Sequence, residues 1–158
     1  MNAITLLTPP RIVFGNGCAS GCAELLADRG MRRVLLVSSK SVLPRIDFLI
    51  DGLRKAGCSV ATSEPVGPEP TLAGFDTILA AARKLDFDAV VGVGGGSVLD
   101  VAKLIAALTQ GSQQTRDVFG VNRCEGRRAF LICLPTTAGA GSEVSPNAVL
   151  VDEAEQLK

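Results

Sequence analysis

The stretch Ala89-Val90-Val91-Gly92-Val93-Gly94-Gly95-Gly96-Ser97-Val98-Leu99-Asp100 decides the fold. Its first five residues form a continuous run without a charge, β-branched at three positions, the pattern of a strand buried on both faces. From Val98 onward, Val98, Leu99, Ala102, Ile105 and Ala106 recur at helical spacing as far as Gly111. The glycines therefore sit where a strand turns into a helix. At such a turn, bare backbone N–H groups and the positive end of the helix dipole favour a phosphate, and the missing side chains let the backbone approach it.

The pattern departs from the dinucleotide fingerprint in two ways: Gly92-x-Gly94-x-x-Ser97 has serine in place of the third glycine, and it follows a late strand. A turn that merely lets strand and helix pack closely is the competing reading. No Gly-Lys-Ser/Thr occurs, which excludes the Walker loop. Asp117 lies 20 residues past Ser97, where an acid would grip a ribose, but no second strand intervenes and it reads as a solvated loop charge.

On either side of this stretch, apolar runs alternate with helical patterns, the mark of a parallel sheet with crossover helices. Strands are expected at residues 34–37 and 59–62, and helices at 19–29 ending at Gly30, at 43–56 ending at Gly57, and at 72–85 capped by Thr71. Residues 4–7 and 12–14 read as a short N-terminal ribbon closed by Gly15-Asn16-Gly17. Pro65, Pro68 and Pro70 make the loop 64–71 too proline-rich for a regular element. Downstream, 113–128 is polar and irregular, 130–134 is another buried strand, and 148–151 a last one. No internal repeat or linker interrupts the pattern. One α/β unit is expected over residues 1–158, a mostly parallel sheet with helices on both faces.

Composition narrows the function. A chain of 158 residues buries roughly 70% of its unfolded surface, and 47% hydrophobic residues suffice for that core. Sixteen Lys+Arg balance sixteen Asp+Glu, and Trp and Tyr are absent, so neither charge nor stacking surface favours nucleic acid or an anionic membrane. The longest uncharged stretch, 129–142, is 14 residues and interrupted by Pro135, against the roughly 20 a membrane span needs. Cys18, Cys22, Cys58, Cys124 and Cys133 form no CxxC pair and read as reduced, small hydrophobes of a cytoplasmic protein. Histidine, the commonest metal ligand and neutral-pH acid–base group, is absent. Whatever chemistry these residues support proceeds without it.

A second motif, Pro135-Thr136-Thr137, leaves the carboxyl end of the 130–134 strand. Its two hydroxyls are expected to face the same crevice as the glycine turn, the usual ligand position in an open α/β sheet. Asp100, one turn into the helix, either complements the helix dipole or reaches into the crevice as an acceptor.

Together these segments resemble a known family. Gly94-Gly95-Gly96-Ser97-x-x-Asp100-x-Ala102-Lys103, followed by Leu134-Pro135-Thr136-Thr137-Ala138-Gly139-x-Gly141-Ser142-Glu143, is similar to the group III, iron-containing alcohol dehydrogenases. Arg11-Ile12-Val13-Phe14-Gly15-x-Gly17 and Pro68-Glu69-Pro70-Thr71 fit as well, and the likeness runs from about Ile12 to Lys158. The threonine pair followed by Ala-Gly resembles the metal-dependent alcohol dehydrogenases and maleylacetate reductases more than the polyol dehydrogenases.

The resemblance implies a Rossmann-like cofactor domain for NAD or NADP. Within it, Gly95, Gly96 and Ser97 hold the pyrophosphate, Thr136 and Thr137 line the adenine and ribose side, and Asp100, Ser142, Val149 and Lys158 complete the lining. Ser39 stands where NAD-preferring relatives often carry an aspartate that repels a 2′-phosphate, which implies that NADP is tolerated. The resemblance further implies a helical domain with an aspartate and three histidines holding iron or zinc; those ligands have no counterpart here. The chain is therefore expected to be an N-terminal fragment, or one half of a split protein, ending before the last strand of the cofactor domain. The implied parent is a homo-oligomeric enzyme that moves hydride between NAD(P) and a small alcohol or aldehyde. A complete, non-catalytic nucleotide-binding module is the alternative.

Overall fold

The computed structural model describes residues 8–155. Four strands, β1 (Arg33–Ser38), β2 (Ser59–Thr62), β3 (Ala89–Gly94) and β4 (Phe130–Pro135), form a parallel sheet in the order β2-β1-β3-β4. Parallel neighbours need crossovers, supplied here by helices α2 (Asp47–Lys55) between β1 and β2, α3 (Leu72–Ala82) between β2 and β3, and α4 (Gly96–Leu108) between β3 and β4. Helix α1 (Gly21–Asp28) precedes β1.

Period-two alternation sorts the strand side chains onto two cores. Leu35, Val37 and Val90 pack with Phe75 and Leu79 of α3 and with Val101, Ala102 and Ile105 of α4. Val34, Leu36, Val91 and Val93 pack on the other face with Leu26 of α1 and Leu49 and Leu53 of α2. Interior strands β1 and β3 are buried almost throughout, which explains why both read as unbroken apolar runs. The expected doubly wound α/β architecture is present.

Local chemistry sets the helix ends. The Thr71 side chain accepts from the Gly74 amide at 3.1 Å and opens α3. Gly30 and Gly57 adopt positive φ, 71° and 83°, just beyond α1 and α2.

Four expectations are corrected. The helix expected over 43–56 is split: Pro44 lies in a 3-10 turn, Leu43–Arg45, and α2 starts only after Ile46, whose φ of −117° is not helical. The helix expected over 72–85 ends at Ala82, because the Lys84 and Leu85 amides turn back to the Ala81 and Ala82 carbonyls. Residues 12–14 form no strand; Ile12, Val13 and Phe14 are 64%, 55% and 101% exposed, and residues 4–7 of the same ribbon lie outside the described residues. Residues 148–151 form a single isolated bridge, Thr71 to Val151, rather than a strand. The Val149 amide is taken by the Asp100 carboxylate, so it has no ladder partner.

Candidate functional site

Strand order reverses between β1 and β3: the chain leaves β1 for β2 on one side and returns to β3 on the other. The crevice beyond the carboxyl ends of two such strands is where open α/β sheets take their ligands. Here it is walled by Ser38 and Ser39 at the carboxyl end of β1, the glycine turn after β3 and residues 136–137 after β4. The Ser38 hydroxyl donates to the Val93 carbonyl at 2.7 Å and the Thr136 amide to the Gly94 carbonyl at 2.9 Å, fixing both walls to β3.

The glycines fall into two pairs. A Cβ at Gly92 would stand 2.7 Å from Ala102 Cβ, and one at Gly94 would stand 2.6 Å from Val98 Cγ2; these two let α4 lie close on β3. A Cβ at Gly95 would instead meet the Thr137 hydroxyl at 3.2 Å, and one at Gly96 the Ala140 methyl at 3.1 Å. Close packing therefore accounts for the first pair. Gly95 and Gly96 line a narrow slot between the first turn of α4 and the loop after β4. Gly95 is the N-cap of α4, a 13-residue helix, and brings no side chain to cap its opening amides, of which that of Val98 bonds back to the Gly95 carbonyl at 3.0 Å.

Ser97 is half-buried, and Thr136 and Thr137 are exposed at the mouth. Ser39 is half-buried at the end of β1, its hydroxyl 3.1 Å from that of Ser41. Asp100 lies elsewhere: it is buried behind the turn, accepting from the Ser142 hydroxyl and from the Val149 amide at 3.1 Å, and it pairs with Lys103 at 2.9 Å. Ser142 and Val149 are thus gathered around Asp100, one turn away from the slot. Lys158 lies outside the described residues. Asp117 is exposed, but its carboxylate accepts from the Gln114 amide at 2.7 Å in a capping box. Lys103, quoted within the motif but given no role there, is the residue sequence reasoning missed; its i,i+3 spacing from Asp100 was the signal.

Elsewhere, a surface hollow of about 350 Å³ is lined by Asp76, Arg83, Gln114, Thr115 and Arg116 on the α3 side; no expected site residue lines it. Among the described residues no group of three or more His, Cys, Asp or Glu side chains gathers to hold a metal. No described helix is long and apolar enough to cross a membrane.

The family model for iron-containing alcohol dehydrogenases matches residues 9–158. The chain belongs to that family. It is 33% identical to long-chain-alcohol dehydrogenase 1 of Geobacillus thermodenitrificans over 155 residues, 95% of this chain and 39% of that protein. Among solved structures, the alcohol dehydrogenase from Oenococcus oeni superposes with a TM-score of 0.91 at 27% identity, covering 99% of this chain and 42% of that one. The NADH-dependent butanol dehydrogenase A from Thermotoga maritima gives 0.87 at 30% identity, covering 98% and 40%. The chain thus spans about two fifths of the length of these relatives.

Proposed function

We propose that the chain forms the dinucleotide-binding part of an NAD(P)-dependent alcohol dehydrogenase that interconverts a small alcohol and its aldehyde or ketone. The observation that carries this reading is the slot at Gly95 and Gly96, where a Cβ would intrude and an uncapped helix start supplies N–H donors. The residues fit a dinucleotide. The turn of Gly95, Gly96 and Ser97 receives the pyrophosphate charge, Thr136 and Thr137 offer hydroxyls beside it, and Ser39 at the end of β1 offers one to a ribose. Val149 and Lys158 are assigned to the cofactor by family resemblance. When bound, the nicotinamide exchanges a hydride with the carbon bearing the substrate oxygen.

The family's iron or zinc does not fit these side chains. The sequence has no histidine, and Asp100, a hard oxygen donor near the slot, is neutralised by Lys103. We assign the metal, the substrate pocket and catalysis to residues other than these, and expect the 158-residue polypeptide alone to be silent. Purified chain incubated with Fe²⁺ or Zn²⁺, NADH or NADPH and small aldehydes should show no oxidation of the nicotinamide above background. Metal-dependent turnover would overturn that assignment.

Binding itself is tested by calorimetric titration of the chain with NADH and NADPH. Saturable one-site binding is expected; folded protein that takes up neither sinks the proposal.

A further inference from the structure

Asp100 and Lys103 hold the segment 142–149 at both ends and along its length. Asp100 accepts from the Ser142 hydroxyl with Oδ1 and from the Val149 amide with Oδ2, so one carboxylate grips the two limits of an eight-residue loop. Lys103 Nζ sits 2.9 Å from Asp100 Oδ1 and donates to the carbonyls of Ser142 at 3.0 Å, Ser145 at 3.3 Å and Asn147. Both side chains are only 13% exposed, so the two charges are removed from water together and compensated by each other and by loop backbone groups. Gly141, at φ 65°, turns the chain into the clamp and accepts from the Val144 and Ser145 amides.

The clamp reaches the slot through Ser142 and Ala140. The space a Cβ would take at Gly96 is bounded by Ala140 at 3.1 Å and Ser142 at 4.0 Å, so the placement of 140–142 sets the width of the slot. We propose that Asp100 and Lys103 are positioning residues that pre-set the loop after β4 against the first turn of α4, and that Asp100 acts on the dinucleotide through Ser142 rather than by contact. This rests on the dinucleotide reading above. A loop held in place before the ligand arrives need not be ordered on binding, so losing the clamp weakens affinity by the cost of that ordering.

The test is a double-mutant cycle on the 158-residue chain, with Asp100→Asn, Ser142→Ala and the double variant titrated with NADH below the melting temperature of each. Asp100→Asn keeps the volume but presents an N–H₂ to a donor; Ser142→Ala removes one hydroxyl and is the gentler change should the first variant fold poorly. Each single variant is expected to weaken binding about tenfold, the double variant little further, and amide exchange across 142–149 in the ligand-free chain to speed up in parallel. A merely structural pair would lower the melting temperature and leave the affinity of folded protein unchanged. That result overturns the proposal, as does loss of affinity confined to Asp100→Asn with Ser142→Ala binding normally, the mark of direct contact. Failure of the native chain to bind NADH overturns the dinucleotide reading, and the clamp's role in binding with it.

Discussion

Gly95 and Thr137 face each other so closely that a Cβ on the first would stand 3.2 Å from the hydroxyl of the second. The Gly95 backbone, at φ −78° and ψ −177°, is open to any residue, and Thr137 is exposed and free to turn away. Stability should therefore barely register a side chain here, while a ligand in the slot should. Gly95→Val is expected to melt within a few degrees of the native chain and to lose NADH binding by at least about tenfold, with Gly95→Ala in between. Equal calorimetric affinities in folded native and Gly95→Val protein would remove the turn from the site.

Gly94 predicts the opposite behaviour. A Cβ there would lie 2.6–2.9 Å from three atoms of Val98, itself 3% exposed and held in the core of α3 and α4. Neither side can move without disturbing the seat of α4 on β3. Gly94→Ala should cost about 1–3 kcal/mol by overpacking, read as a lower urea midpoint at unchanged m-value. A neutral Gly94→Ala would show that the strand-to-helix turn is looser than its geometry.

Burial pushes the Cys22 thiol from its ordinary value of 9.0 up to about 12, with neighbouring Cys58 a lesser cause, and burial likewise pushes Cys133 up to about 11. The unfolded chain releases these protons near pH 9, the folded chain only at higher pH. Between those values the unfolded state binds fewer protons, so stability falls as pH rises above about 9. Urea midpoints should drop from pH 8 to pH 10.5, and less steeply in Cys22→Ala. At pH 8 iodoacetamide should label the exposed Cys18 and Cys124 before Cys22, Cys58 or Cys133, read by peptide mass. Early labelling of Cys22 would contradict its burial on the inner face of α1.

What was legible in the sequence followed from local pattern. The runs at 34–37 and 89–93 became interior parallel strands because Val and Leu on both faces leave no other place to bury them, whereas 130–134, expected to be buried as well, became a parallel strand at the sheet edge and is only half-buried. Thr71 and the glycines at 30 and 57 marked helix ends because capping chemistry lies within a few residues. The residues misread depend on distant partners. Ala148-Val149-Leu150-Val151 has strand composition, yet a carboxylate 49 residues earlier takes the Val149 amide. Ile12-Val13-Phe14 has it too, and finds no strand to pair with among the described residues. For the same reason the place of Asp100 in the fold was legible and its partners were not: local spacing places it one turn into α4, but only the fold brings Ser142 to it.

Ser39 is proposed to set the choice between NAD and NADP. It directly follows β1, its carbonyl accepts from the Val42 and Leu43 amides at 3.1 Å each, and the turn so formed presents its hydroxyl and that of Ser41 with Lys40 exposed between them. Ser39 itself brings no carboxylate to repel a 2′-phosphate, and the two hydroxyls and the ammonium of Lys40 are available to it, so NADPH should bind at least as well as NADH. Ser39→Asp places a negative charge at the ribose edge. It should weaken NADPH relative to NADH by about 1–3 kcal/mol, the scale of one charge-assisted contact. The ratio is best measured at low ionic strength, where exposed charges such as Lys40 act with least screening. Should Ser39→Asp leave the NADPH to NADH ratio where it was while both still bind, the ribose lies away from β1 and the crevice is entered from the β4 side alone.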